Sequence, residues 1–142
     1  AAIPTFDAVI IGPGSFYTSL VPIFLPNGVR EAVAAVDGPI VLVTNLLTEG
    51  RGMRGFSVAA AVSRISEAIG RGVDVVIVNT GNPGDESLAR YAAEHKEPLP
   101  VGDVPDGCEV VTGEFWRGEF ARHARRRLAY AVWGVLSQRL LR

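Results

Sequence analysis

Asp7-Ala8-Val9-Ile10-Ile11-Gly12-Pro13-Gly14-Ser15-Phe16-Tyr17-Thr18-Ser19 reads as a short buried strand that runs straight into a glycine loop. Two later stretches repeat the strand type: residues 40–44 (Ile-Val-Leu-Val-Thr) and 73–79 (Val-Asp-Val-Val-Ile-Val-Asn). Residues 109–112 make a weaker fourth. The first three are continuous β-branched runs rather than alternating ones. Such runs suit strands covered on both faces, as in a parallel sheet flanked by helices.

Helical spacing fills the gaps. Val29, Val33 and Val36 share a face after Asn27-Gly28. Val58, Val62, Ile65 and Ile69 recur at four, three and four residues, with Ser57 as the expected N-cap and Gly70 as the stop. Asp85 is the expected cap of a helix carrying Leu88, Tyr91 and Ala92. A last helix carries Leu128, Val132, Val135 and Leu140. The alternation predicts a single α/β domain over residues 1–142 with right-handed βαβ crossovers. Ligands in such sheets bind beyond the carboxyl ends of the strands, so the loops after Ile11, Thr44 and Asn79 matter most.

Composition narrows the function classes. Hydrophobic residues make up 48% of the 142, enough for a real core, and charged residues only 20%. A net charge of −1 argues against nucleic acid or an anionic membrane as the partner of the whole chain. No apolar run approaches the roughly 20 residues that span a bilayer. No charged segment followed by an apolar stretch opens the chain, so a secretory signal is not expected. The single cysteine, Cys108, excludes an internal disulfide and fits a reducing cytoplasm. Two histidines far apart, His95 and His123, do not suggest a metal site.

The first loop carries Gly12, Gly14, Ser15, Thr18 and Ser19. Glycines let backbone N–H groups approach an anion, the hydroxyls add donors, and a helix starting near Thr18 would favour phosphate. The same residues also suit a tight strand-to-helix turn capped by Ser or Thr. In the second loop, Asn45 can bond a ligand edge or tie two loops together. Arg51 and Arg54 can pair with phosphate or simply keep a surface loop hydrated. Asn79 ends an apolar strand, and a buried amide there must be satisfied by loop backbone or by ligand. The basic cluster Arg117, Arg122, His123, Arg125, Arg126 and Arg127 reads mainly as a solvated helix start, with Arg122 and His123 set apart. Trp116 and Trp133 read as packing residues and Cys108 as a small buried side chain. No pair reads as nucleophile and base, so the residues alone give a ligand-binding domain without a named reaction.

Residues 7–20 resemble the signature of the gluconeogenesis-factor (CofD-like) family, which is related to 2-phospho-L-lactate transferase. The resemblance continues through Thr44-Asn45-Leu46-Leu47-Thr48, Gly55-Phe56-Ser57, Val76-Ile77-Val78-Asn79, Leu88-Ala89-Arg90-Tyr91 and Arg122-His123. It implies a cytoplasmic three-layer Rossmann-like fold with a mostly parallel sheet, of which this chain looks like the C-terminal half. In the gluconeogenesis-factor branch it implies binding of a UDP-sugar such as UDP-N-acetylglucosamine and a role in carbon metabolism and cell shape, not a settled catalytic activity. In the transferase branch it implies transfer of a phospholactyl group from a guanylylated donor to a deazaflavin, with magnesium. The ligand-binding residues expected from loops and resemblance together are Gly12, Gly14, Ser15, Tyr17, Thr18, Ser19, Asn45, Asn79, Tyr91 and Arg122.

Three departures from the family pattern stand out. The glycine-rich nucleotide loop of the family's N-terminal half has no match here. Thr48-Glu49-Gly50-Arg51-Gly52-Met53 stands where the family shows Thr-Gln-Pro-Gly-Glu-Thr, and Ala60-Ala61 where an Asp-His pair often follows Phe-Ser. The chain opens at Ala1-Ala2-Ile3-Pro4 without Met, and a fragment is expected. Expected partners are a nucleotide or nucleotide-sugar, an N-terminal half of the same protein and a second copy as a homodimer. No cofactor is expected apart from magnesium in the transferase reading.

Overall fold

In the computed structural model, which describes residues 2–141, four strands pair in chain order. They are β1 (Val9–Ile11), β2 (Ile40–Val43), β3 (Val75–Asn79) and β4 (Glu109–Gly113), and every pairing is parallel. Val41 lies beside Val75 and Leu42 beside Val76, so neighbouring strands send matching residues to the same face. Ile40, Leu42, Val76 and Val78 enter one core cluster; Val41, Val43, Val75 and Ile77 enter the other. Both central strands are therefore buried on two sides, which is why their sequences run apolar without alternation.

Helices α1 (Val29–Ala34) and α2 (Val58–Ile69) cover the first face. Ser57 caps α2 by accepting the Ala60 N–H at 3.1 Å, and Gly70 ends it in the left-handed region, as the spacing predicts. Val58, Ala61, Val62, Ile65 and Ile69 are its buried stripe. Burying one such aliphatic side chain is worth about 1.5–3 kcal/mol for Val or Ile, so tertiary packing holds α2 in place more than helix propensity does. Helix α4 (Arg125–Leu140) covers the second face through Leu128, Ala131, Val132 and Val135. Tyr91 of α3 (Asp85–Ala93) joins the same cluster. No helix among the described residues is long and apolar enough to cross a membrane.

Several local expectations change. The turn after the first loop is a single π-turn, Phe16–Leu20, followed by a 3-10 turn, Val21–Phe24, rather than a helix from Thr18. Pro22 and Pro26 deny the chain the donors and the space for a longer helix. Asp85 does not cap α3. Gly84 holds the N-cap position and donates its N–H to the Asn82 side chain at 2.8 Å, which leaves Asp85 in the first turn, where its charge favours the helix dipole. Part of the basic cluster is a hairpin, β5 (Trp116–Arg117) with β6 (Phe120–His123), that turns at Gly118 in the left-handed region. Trp116 is buried as expected, but Trp133 faces outward from α4 and is 66% exposed. Cys108 is half-buried, and desolvation pushes its thiol pKa up.

Candidate functional site at the carboxyl ends of the strands

The first loop is shaped by a close approach. Gly12 sits in the left-handed region, and a Cβ there would lie 2.6 Å from the Val43 carbonyl oxygen. Glycine is thus required for the loop after β1 to pass the end of β2. The Ser15 carbonyl accepts the N–H groups of Ser19 and Leu20, both at 2.9 Å, which closes the π-turn. Thr18 donates its hydroxyl to Ser15 Oγ at 2.5 Å. Tyr17 is exposed, its ring edge-on to Phe16, with the Arg64 guanidinium 6.0 Å from its centroid. Ser19 is exposed.

Asn45 ties the two loops together, the second of the roles its position allows. Its Oδ1 accepts the Gly14 N–H at 3.2 Å, and its Nδ2 donates to the Gly14 carbonyl at 2.9 Å. The same Nδ2 donates to Glu49 Oε1 at 2.9 Å. Ser15 Oγ donates to Glu49 Oε2 at 2.9 Å, and the Phe16 N–H reaches both carboxylate oxygens at 3.1 and 3.2 Å. A carboxylate of the chain itself therefore occupies donors that the glycine loop presents to an anion. Sequence reading passed over Glu49. The one signal was the change at Thr48-Glu49-Gly50 from the family pattern.

Asn79 is satisfied by backbone. Its Oδ1 accepts the N–H groups of Gly81 (3.1 Å) and Phe115 (2.8 Å), and its Nδ2 donates to the Gly81 carbonyl at 2.9 Å. This fixes the loop after β3 against the chain that enters the hairpin. Asn79 also lines a cavity of about 190 Å³ shared with Asn45, Leu46 and Trp116.

A larger cleft of about 480 Å³ opens beside it. Pro13, Gly14 and Asn45 form one wall; Tyr91, Lys96 and His123 form the other. The Tyr91 hydroxyl oxygen accepts the Ala121 N–H at 2.7 Å, which docks the hairpin on α3, and its ring meets Trp116 edge-on at 6.1 Å between centroids. His123 Nε2 lies 3.2 Å from the Thr44 carbonyl. A carbonyl can only accept, so Nε2 carries the proton and Nδ1 keeps a lone pair. Desolvation lowers the His123 pKa, partly offset by this bond, and favours the neutral ring. Lys96 pairs with Glu94 at 2.5 Å, and that bond raises its pKa. The structure thus gathers Gly14, Asn45 and Tyr91 at one cleft, with Gly12, Ser15 and Thr18 in the adjoining turn. Arg122 is exposed on β6, where its neighbours Ala121 and His123 turn inward. Arg51 and Arg54 line a separate pocket of about 130 Å³ with His95, Lys96 and Glu97. No group of three His, Cys, Asp or Glu side chains that could hold a metal occurs among the described residues.

Comparison with known proteins gives a consistent result. The CofD family, described as 2-phospho-L-lactate transferase CofD, matches residues 1–116. A gluconeogenesis-factor homologue of Aquifex aeolicus is 32% identical over 95% of this chain and 43% of its own length. The gluconeogenesis factor of Listeria monocytogenes is 30% identical, again over 95% and 43%. A crystal structure of a UPF0052 family protein from Bacillus halodurans superposes with a TM-score of 0.81 at 28% identity, covering 93% of this chain and 44% of that one. The chain therefore spans less than half the length of these relatives.

Proposed function

The chain belongs to the CofD family, and from that premise we propose that it forms the C-terminal half of a gluconeogenesis factor that binds a nucleotide-sugar of the UDP-N-acetylglucosamine kind. The observation that carries this reading is the convergence of Gly14, Asn45 and Tyr91 with Lys96 and His123 on one cleft of about 480 Å³ beyond the strand ends. The cleft offers what such a ligand needs. In the adjoining turn, the Ser15 hydroxyl and Phe16 N–H suit a phosphate once Glu49 gives them up; Lys96, paired with Glu94, supplies a cation, and His123 Nδ1 supplies an acceptor for a sugar or ribose hydroxyl. The role in carbon metabolism and cell shape, in the cytoplasm, follows from the same family reading.

An N-terminal half of the same protein would complete the site. In support, the chain matches 43–44% of its relatives' length. Ile10 of the edge strand β1 is also 47% exposed on the sheet face that α4 covers elsewhere.

The family description favours a second reading, a transferase acting on a guanylylated donor and a deazaflavin with magnesium. Magnesium is commonly held by one or two carboxylates together with substrate phosphates. The carboxylate nearest the loop is Glu49, and it already accepts from Ser15, Phe16 and Asn45. These residues therefore offer no ready magnesium site.

Thermal unfolding of the full-length protein separates the two readings, because a ligand that binds only the folded state raises its stability. UDP-N-acetylglucosamine is expected to raise the melting temperature, and GDP with magnesium to leave it unchanged. A shift with GDP and magnesium alone would replace the first reading with the second.

A further inference from the structure

We propose that Glu49 is a built-in latch on the glycine loop, a carboxylate that holds the place of a ligand phosphate and must leave before the phosphate can enter. The inference rests on the nucleotide-sugar reading above for the identity of the natural ligand, but not for the contact itself. Both Glu49 oxygens are engaged: Oε1 by Asn45 Nδ2 and the Phe16 N–H, Oε2 by Ser15 Oγ and the Phe16 N–H, at 2.9–3.2 Å. These donors come from two loops some 30 residues apart, joined through the paired contacts of Asn45 with Gly14. A phosphate oxygen uses the same donors with the same geometry. Carboxylate and phosphate are both anions and cannot share one set of donors, since like charges a few ångströms apart repel, and more strongly at a protein surface than in bulk water.

The latch is also free to move. Glu49 is exposed, and among the described residues none of its bonds is to a cation, so hydrogen bonds hold it. It stands between Thr48, which is anchored by its N–H to the Glu97 carbonyl at 2.8 Å, and Gly50, which occupies the left-handed region. The side chain can thus swing about an anchored point while the strand end stays in place. The ligand then binds only the fraction of molecules with Glu49 displaced, and its apparent affinity falls by that fraction. The arrangement makes the loop selective for ligands whose other contacts, at Lys96, Tyr91 and His123, outweigh the latch. Small free anions are kept out.

The test compares wild type with Glu49→Ala and Glu49→Gln in the full-length protein. Inorganic phosphate, titrated against chloride at equal ionic strength, is expected to raise the melting temperature of Glu49→Ala and not of wild type. Under the nucleotide-sugar reading, the affinity for UDP-N-acetylglucosamine is expected to rise about tenfold in Glu49→Ala, as for a latch open in roughly one molecule in ten. Glu49→Gln keeps the side-chain shape without the charge and should show both effects in weaker form; it also replaces Glu49→Ala if that variant fails to fold. Equal phosphate shifts in wild type and variants, or no shift in any of them, would overturn the latch. A phosphate shift confined to the variants, with no UDP-N-acetylglucosamine binding by any protein, would keep the latch and overturn the nucleotide-sugar assignment.

Discussion

His123 links burial to a measurable pH response. Its folded pKa lies below the ordinary value of 6.5, chiefly through desolvation. The unfolded chain then binds a proton more readily than the folded one, and below about pH 6.5 protonation favours unfolding. Its contribution is therefore intact above that pH and is lost as pH falls toward the lowered folded value. Denaturant unfolding across pH 5–8 should show stability declining from about pH 7 downward, with a shallower decline in His123→Gln. Identical slopes would mean that the ring titrates as it does in water. At this scale the sequence spoke unevenly. Asn45 and Asn79 were legible because an amide that ends an apolar strand must find partners. Glu49 was not, because two of its three donor residues, Ser15 and Phe16, lie more than 30 residues away, a contact that exists only once β1 and β2 are paired.

The hairpin β5–β6 is the element that completes the cleft wall, and Tyr91 holds it. Removal of the hydroxyl in Tyr91→Phe leaves the Ala121 N–H without its acceptor while the ring stays against Trp116. The expected cost is about 1–3 kcal/mol of stability. Hydrogen exchange at Ala121 should quicken more than exchange in β3. Unchanged protection at Ala121 would show that the hairpin is held by other contacts. The strands of the sheet could be read from their continuous apolar runs, and α2 from its cap, stripe and stop. The hairpin could not. Its strands are two and four residues long, its four-residue alternation is too short to register as a period, and its arginines read as a solvated helix start. The unequal outcome for the tryptophans has a related cause. Trp116 is enclosed by the hairpin and α3, whereas Trp133 lies on the side of α4 turned away from the sheet.

Across the molecule, four parallel strands in chain order place three loops at one end, and the first two of these loops enclose the cleft with Tyr91, Lys96 and the hairpin. The α/β architecture followed from the alternation of strands and helices. The grouping of Gly14, Asn45 and Tyr91 with Lys96 and His123 required the folded chain, because these residues come from four separate segments. The central claim is that this cleft takes a nucleotide-sugar with its phosphates at the glycine loop. Calorimetric titration of the full-length protein with UDP-N-acetylglucosamine, beside Gly14→Val, tests it most directly. A Cβ at residue 14 would already lie 3.2 Å from the Leu20 side chain, so a branched side chain there crowds the loop without the strain of a positive φ. The account predicts saturable binding by wild type and affinity weakened at least tenfold in a folded Gly14→Val. Binding of equal strength in both proteins, or none in wild type, would contradict it.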